Sequence, residues 1–233
     1  MSSNSESETN LLGILGTHIT QGDIHVRRVA GLDGFPAIAI TRGGKFVAPY
    51  RLLLPGKFYE NFSIAATVQP ADREGGYLFA VLNALDTVVA LGVLLEPADS
   101  SSGGNQTYIH LQYTDSMTAS ETKTLASFLV PDFTGKWTKI GIEVSGESVV
   151  LYFKCTRFAI ERPVKKHPKQ LRMNDAHKIY IGSGGPVLRR EFEKEIFESG
   201  NKDSVCIRRQ VENITVEIMT KDMVDNNGET ALA

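Results

Sequence analysis

Cysteine is scarce in this chain, with two residues in 233. Two cysteines are too few for a small scaffold held together by disulfides or for a cysteine-rich metal site. Apolar residues never reach the run of about 18 that a membrane-spanning helix needs, so no membrane span is predicted. The formal net charge of −2 excludes a globally basic nucleic-acid-binding protein, and we expect no nucleic-acid partner. What remains is the class of globular proteins with a hydrophobic core, for which 42% hydrophobic residues is ordinary.

The start of the chain lacks the basic and apolar pattern of a secretory signal peptide. Residues 1–10 are polar and acidic, so we expect a disordered tail there. Residues 11–15 predict a short N-terminal helical turn, and residues 222–233 an exit linker. The sequence between them, residues 11–221, is predicted to form one domain.

Short segments of strand character dominate the middle of the chain. They alternate apolar and polar residues or form short apolar runs, and Gly, Pro, Asn or Asp separates them. The segments predicted as strands are 62–68, 77–82, 88–95, 108–113, 178–181 and 211–218. Strands at intervals of about 8–15 residues, without a long helical period, predict an all-β fold, an antiparallel β-sandwich or jelly roll. Residues 191–203 are expected to be a polar insertion.

The clearest unit is a β-hairpin between Lys136 and Cys155. Its turn is predicted at Ser145-Gly146-Glu147. Period-two alternation assigns one face of each strand to the core, namely Ile140, Ile142, Val144, Val149, Leu151, Phe153 and Cys155. Phe128 and Phe133 are also expected in the core. Trp137 and Tyr152 have the opposite phase and are the only candidates for the exposed aromatic platform of a lectin.

Positive charge is concentrated in one part of the sequence. Between Lys154 and Arg190 there are ten Lys or Arg and two acidic residues, a net +8 against −10 for the remainder. Within it, five cations occupy an eleven-residue basic segment (Arg162–Arg172), namely Arg162, Lys165, Lys166, Lys169 and Arg172. Two prolines keep this segment extended, which favours a polyanion-binding surface. The alternative is a solvated loop. Arg189-Arg190 and Arg208-Arg209 would enlarge the surface if the fold brought them near.

Motifs of catalysis and metal binding are missing. The sequence contains no Gly-x-Ser-x-Gly, no His-Glu-x-x-His and no phosphate-binding loop. The alternating carboxylates of Glu191, Glu193 and Glu195 are best explained as a solvated charge ladder and not as the acid pair of a glycosidase. Three loop aspartates favour turns over calcium ligation, namely Asp72, Asp86 and Asp115. The sequence therefore predicts no enzyme, no cofactor and no metal site.

Several segments together resemble a known family. Phe58-Tyr59-Glu60-Asn61-Phe62-Ser63 resembles the entry into the sandwich of thrombospondin N-terminal-like modules, which belong to the wider laminin-G-like and concanavalin-like group. Residues 126–131 lead into Gly135-Lys136-Trp137-Thr138, and the hairpin closes on Leu151-Tyr152-Phe153-Lys154-Cys155. This order and spacing are most similar to the N-terminal non-collagenous module of the multiplexin collagens, types XV and XVIII. The resemblance covers roughly residues 11–185.

The resemblance implies a secreted, extracellular matrix location and a non-catalytic binding role. Under oxidising conditions Cys155 and Cys206 would pair, closing a loop of about 50 residues for roughly 4 kcal/mol. Two unpaired thiols are the alternative. In this family the second cysteine generally follows the last strand, whereas Cys206 precedes the last predicted strand, and residues 191–209 have no counterpart. No Gly-X-Y run is present.

Three N-glycosylation triplets begin at Asn61, Asn105 and Asn213. Asn105 is the best predicted acceptor because its loop is polar, whereas the other two lie at or in predicted strands.

The predicted function is an extracellular matrix module that binds heparan sulfate or another sulfated glycosaminoglycan through the basic segment. Other matrix proteins are further expected partners. Two alternatives stay open at the level of sequence. One is a lectin-like sandwich that binds neutral glycans, and the other is a structural spacer.

Overall fold

The computed structural model describes residues 7–11, 25–41, 43–44, 46–98, 105–163, 171–191, 194–198 and 217–220. Strands dominate this part of the chain, which also contains one short α-helix, α1 (Gly185–Leu188), and two 3-10 helices, Leu32–Gly34 and Tyr50–Leu52. In chain order the strands are β1 (Ser7–Asn10), β2 (Val26–Ala30), β3 (Pro36–Thr41), β4 (Phe46–Pro49), β5 (Phe62–Pro70), β6 (Gly76–Leu82), β7 (Val89–Pro97), β8 (Gln106–Tyr113), β9 (Thr124–Pro131), β10 (Thr138–Ser145), β11 (Ser148–Phe153), β12 (Thr156–Glu161), β13 (Lys178–Ile181), β14 (Lys194–Glu198) and β15 (Glu217–Thr220).

The strands form two antiparallel sheets. The first has nine strands and runs β12-β11-β10-β5-β14-β3-β2, with β15 also paired to β5 and β1 paired to β15. The second has six strands in the order β4-β13-β6-β7-β8-β9. The inner faces of both sheets share one hydrophobic cluster, so the all-β antiparallel sandwich predicted from the sequence is confirmed.

The predicted hairpin is present as β10 and β11, with Ile142 opposite Leu151. Its alternate residues are buried as expected, because a period of two sends every second side chain into the space between the sheets. Phe128, Phe133 and Phe153 are also buried, and the rings of Phe133 and Phe153 meet edge to face. Each such ring contributes about 1.5–3 kcal/mol through its removal from water.

The sandwich has two ends, which fix the positions of the candidate site residues. At the Gly146 end, β5 begins, the hairpin turns at Gly146, and β12 finishes at Glu161 opposite Val149. At the Cys155 end, β11 passes into β12 through Lys154 and Cys155. The connections from β5 to β6 and from β9 to β10 also lie at the Cys155 end, so the same two ends apply to both sheets.

Three predictions about segments are wrong. Ser7–Asn10 form a strand instead of a disordered tail, because β15 supplies backbone partners that a local sequence pattern cannot reveal. The segment predicted as a polar insertion contains β14, which lies between β3 and β5. Cys155 does not extend the inner face of β11, because the strand ends at Phe153 and Cys155 is exposed in the turn.

Other predictions are met only in part by the described residues. Leu11 is helical and fully buried, whereas the rest of the predicted helical turn lies outside the described residues. Of the strand predicted over 211–218, only Glu217 and Ile218 are described, and they belong to β15. The exit linker at 222–233 lies outside the described residues.

Candidate polyanion-binding surface

The basic segment starts and ends at the Gly146 end of the sandwich. Arg162 directly follows β12 and is exposed. Arg172 forms an isolated antiparallel bridge with Lys57, which lies just before β5. The start of β5 meets the hairpin turn there, because the Gly146 amide donates to Asn61 Oδ1 at 2.9 Å. Lys165, Lys166 and Lys169 lie outside the described residues.

Arg172 points outward because its two neighbours point inward. Leu171 and Met173 are buried, while the residue between them is exposed. Backbone bonds hold this short stretch, since Phe58 N–H donates to Leu171 C=O at 2.9 Å and Met173 N–H donates to Gly56 C=O at 3.2 Å. The Tyr50 hydroxyl donates to the Met173 carbonyl at 2.8 Å in the core. The arrangement presents Arg172 beside Lys57 on the surface.

Lys57 belongs to this surface and was missed by sequence reasoning. It is exposed, and only its bridge to Arg172 brings it to the basic segment. Nothing in the local sequence signals that long-range pairing. Within the described ranges, no ion pair neutralises Lys57, Arg162 or Arg172. Of the nearby acidic residues, Asp175 pairs with Arg51, and Glu161 accepts the Ser127 amide at 3.1 Å.

Arg189 and Arg190 do not enlarge this surface. The Arg190 carbonyl accepts the Tyr77 amide at 3.2 Å, at the start of β6, and its guanidinium pairs with Glu96 near the end of β7. Both contacts lie at the Cys155 end, away from Arg162 and Arg172. The suggested contribution of Arg189-Arg190 is therefore wrong, and Arg208-Arg209 lie outside the described residues.

A second polar group lies on the outer face of the second sheet. His110 on β8 lies opposite Leu94 on β7 and Ser127 on β9. Its Nδ1 is 2.7 Å from Ser127 Oγ, its Nε2 is 3.3 Å from Glu96 Oε2, and the Tyr108 ring stacks on it at 5.4 Å. Burial lowers the pKa of His110, and the hydrogen bond from Arg190 lowers the pKa of Glu96. The face thus offers a neutral imidazole and a charged carboxylate beside an aromatic ring.

The aromatic platform suggested by Trp137 and Tyr152 is only partly open. Both residues are half-buried, and the Tyr152 hydroxyl donates to Glu143 Oε2 at 2.9 Å. The hydroxyl is already engaged within the sheet. Tyr108 and His110 are the better aromatic pair, and the sequence signalled only the strand on which they lie.

The three loop aspartates have structural partners, as expected. Asp72 and Asp115 accept backbone amides two residues further along the chain. Asp86 is 8% exposed, pairs with Lys178 at 2.7 Å and accepts the Tyr180 hydroxyl at 3.1 Å. Across the ranges that the structure covers, no group of three His, Cys, Asp or Glu side chains could hold a metal ion.

Ser116, His177 and Asn174 form a connected row of polar side chains. Ser116 Oγ lies 2.8 Å from His177 Nε2, and His177 Nδ1 lies 2.8 Å from Asn174 Oδ1. His177 is 1% exposed, and the ring of Tyr50 contacts it edge-on. Burial lowers the pKa of His177. The row joins the loop after β8 to the turn before β13 and satisfies a buried imidazole.

The predicted modification sites differ in their surroundings. Asn105 is exposed, and its Oδ1 accepts Arg73 Nη1 at 2.9 Å. Asn61 is half-buried, and its Oδ1 is engaged by Gly146. Asn213 and Cys206 lie outside the described residues, so the disulfide and the three glycosylation sites stay predictions.

In the part of the chain that the structure describes, no helix is long and apolar enough to cross a membrane.

Solved structures with a similar arrangement of strands include domain 4 of an extracellular arabinanase from Geobacillus stearothermophilus, at a TM-score of 0.46, 15% identity, and 83% and 82% coverage of the two chains. A pentraxin from Limulus polyphemus gives a TM-score of 0.47 at 13% identity, and the match covers 84% of this chain and 94% of the pentraxin chain. Domains LG4-5 of mouse laminin alpha1 give a TM-score of 0.42 at 11% identity, and the match covers 65% of this chain and 37% of the laminin chain. Likenesses at these scores say nothing about what this chain binds.

The sequence itself has an informative relative. No family model matches the chain. It is 31% identical over 198 residues to the human collagen alpha-1(XVIII) chain, a match covering 82% of this chain and 10% of the collagen. The chain thus spans about a tenth of the length of the curated relative it matches. This similarity confirms the predicted resemblance: the chain is related to collagen XVIII, a multiplexin, and resembles the thrombospondin N-terminal-like, laminin-G-like modules.

Proposed function

We propose that the chain is a non-catalytic module of an extracellular matrix protein that binds heparan sulfate or a similar sulfated glycosaminoglycan through the basic segment. One observation carries the proposal: the described cations of this surface, Lys57, Arg162 and Arg172, are exposed, lie at one end of the sandwich and have no ion-pair partner among the described residues. Kinship with collagen XVIII supports the matrix setting, and matrix proteins are further proposed partners.

The physical basis of the proposed binding is electrostatic. A sulfated polysaccharide carries closely spaced anions and condensed counterions, and cations on the protein release those counterions on binding. The planar guanidinium groups of Arg162 and Arg172 match the geometry of sulfate and carboxylate oxygens. Because no ion pair among the described residues neutralises Lys57, Arg162 or Arg172, these cations stay available to attract a polyanion.

Heparin affinity chromatography tests the proposal. Replacing Lys165, Lys166 and Lys169 with Ala should move elution from well above physiological salt to near or below it. The matched control replaces three exposed cations away from the Gly146 end, Arg27, Lys136 and Arg189, with Ala, and should elute close to the wild type. Flow-through of the wild type at low salt, or equal shifts for both triple variants, would contradict the proposal.

Neutral-glycan binding on the outer face of the second sheet is the second candidate function. The stacked pair Tyr108 and His110, with Glu96 and Ser127 at its sides, is the observation that favours it. Sugar rings stack on aromatic faces while carboxylates and hydroxyls bind their hydroxyl groups. Retention on a neutral glycan that does not change with salt, and is lost on replacing Tyr108 with Ala, would favour this function over the first.

Secretion should leave two chemical marks on the protein. We expect a glycan on Asn105 and a disulfide between Cys155 and Cys206, since both form in the secretory pathway. Mass spectrometry of protein secreted from animal cells should show glycan mass that disappears in Asn105→Gln. The denatured, unreduced protein should resist alkylation. A glycan-free mass, or two alkylated thiols without reduction, would contradict these assignments.

A further inference from the structure

A second group of cations lies at the other end of the first sheet. This turn cluster consists of Lys139 on β10, Lys154 in the tight turn, and Arg157 on β12. The Lys154 amide donates to the Lys139 carbonyl at 2.9 Å, so these two residues are neighbours across the hairpin. Arg157 is the cross-strand partner of Tyr152, which in turn lies opposite Gly141. The three residues therefore lie near one another at the Cys155 end of the first sheet.

The turn cluster is exposed and not neutralised. Lys154 and Arg157 are exposed and Lys139 is half-buried, and none of the three forms an ion pair within the described ranges. Among the residues whose side chains the structure describes, Glu143 is the acidic residue on the outer face of β10 and β11, and it accepts the Tyr152 hydroxyl. Uncompensated cations on a folded surface favour an anionic ligand.

The turn that holds Lys154 has a strained backbone. Lys154 and Cys155 have φ values of 50° and 66°, a region that glycine and asparagine usually occupy in two-residue hairpin turns. A non-glycine residue there costs about 1–2 kcal/mol. A lysine in this position places its ammonium at the tip of the hairpin, where its Nζ lies 5.5 Å from the centroid of the Phe153 ring.

β12 connects the turn cluster to the described start of the basic segment. It is the edge strand of the first sheet, and Arg157 and Arg162 are five residues apart along it. Because the register of β12 shifts between Arg157, opposite Tyr152, and Glu161, opposite Val149, this spacing amounts to about four strand steps, roughly 13 Å. Ile160 lies between them and is 46% exposed, so the strand presents an open path from one end of the sandwich to the other.

We infer that Lys139, Lys154 and Arg157 form a second subsite for the same sulfated glycan, and that one polysaccharide chain lies along β12 from this subsite to Arg162. The inference rests on the proposed function, because it extends that surface. It commits to a linear polyanion because Arg157 and Arg162 lie roughly 13 Å apart along an open strand, a separation that a small anion does not bridge. A chain that contacts both groups gains affinity from their linkage.

The test compares heparin fragments of two lengths on four variants. One variant is Lys139→Ala with Arg157→Ala, and a second is the triple lysine variant of the basic segment. The matched control is Arg27→Ala with Arg189→Ala, which removes the same charge at the opposite edge of the first sheet and directly after α1. A fourth protein, Glu143→Gln, removes the acidic side chain from the subsite while keeping an acceptor for Tyr152. Affinity is measured at several salt concentrations with a tetrasaccharide and with a dodecasaccharide.

Removing Lys139 and Arg157 should weaken dodecasaccharide binding about tenfold and make the slope of log affinity against log salt shallower by about 1 to 2. Tetrasaccharide binding should change less, since a short fragment can occupy the basic segment alone. Glu143→Gln should strengthen dodecasaccharide binding, a gain that misfolding cannot imitate. The inference would be overturned if the Lys139/Arg157 variant and its control bound the dodecasaccharide with equal affinity and Glu143→Gln did not raise that affinity.

The outcomes separate the two proposals. If only the triple lysine variant loses affinity, the proposed function stands and the second subsite is refuted. If only the Lys139/Arg157 variant loses affinity, the turn cluster binds the glycan by itself, and both the proposed function through the basic segment and the path along β12 to Arg162 are refuted. If neither differs from the charge-matched controls, both are refuted.

Discussion

At His177 the fold keeps an imidazole neutral. The ring is 1% exposed and contacts Ser116, Asn174 and Tyr50. Burial lowers its pKa below the ordinary value of 6.5, so the unfolded chain binds a proton that the folded chain resists. This contribution to stability is therefore complete above about pH 6.5 and is lost as the pH falls toward the lowered pKa of the folded state. His110 acts in the same direction, since burial also lowers its pKa.

Urea unfolding as a function of pH measures this effect. The free energy of unfolding should fall from about pH 7.5 to pH 5.5, by at most about 1.4 kcal/mol per pH unit for each histidine. His177→Gln, which can keep both polar contacts but does not titrate, should reduce that slope whatever its absolute stability. An unchanged slope in the variant would show that His177 does not carry the effect.

Single residues also mark the limits of sequence analysis. The sequence identified Arg172 as a cation of the basic segment, but it did not reveal the bridge from Arg172 to Lys57, since nothing local encodes a long-range pairing. Cys155 fitted the period of β11, yet the strand ends two residues earlier in a turn with positive φ. A period of two predicts which face a residue shares and does not predict where the strand ends.

Among the elements, β14 differs most from its sequence pattern. Because this segment is rich in charged residues, the sequence predicted it as part of a polar insertion. In the structure it is a strand, and Ile196 pairs with both Ala39 on β3 and Gln69 on β5. A central strand is held by its backbone, and both of its edges contribute to the ladder. The hairpin of β10 and β11 was predictable because it is local, alternating and joined by a glycine turn. β1 and β14 are formed by partners distant in sequence.

Proline scanning tests the role of β14. Ile196→Pro removes an amide from a strand with neighbours on both sides and should cost about 3 kcal/mol of unfolding free energy. Ile196→Val keeps the amide and should cost much less. The urea concentration at the midpoint of unfolding measures the stability of both variants. Equal midpoints for Pro and wild type would mean that residues 194–198 are an insertion after all.

At the scale of the whole molecule, the sequence predicted where cations are concentrated along the chain, but it did not predict where the fold places them. The excess of cations between Lys154 and Arg190 is a property of the sequence, but the fold divides it. Arg162 and Arg172 lie at the Gly146 end with Lys57, whereas Lys154 and Arg157 lie at the Cys155 end with Lys139. Lys178 forms an ion pair with Asp86, and Arg190 forms one with Glu96. A count of charges cannot separate paired cations from those that remain for a ligand.

The most direct test of the proposed function is the salt dependence of heparan sulfate affinity. If the five cations of the basic segment each displace counterions as they do on duplex DNA, log affinity should fall against log salt with a slope of roughly −4.5. The variant lacking Lys165, Lys166 and Lys169 should keep a slope of roughly −2. A slope near zero, or one that the triple substitution leaves unchanged, would contradict a polyanion site in this segment.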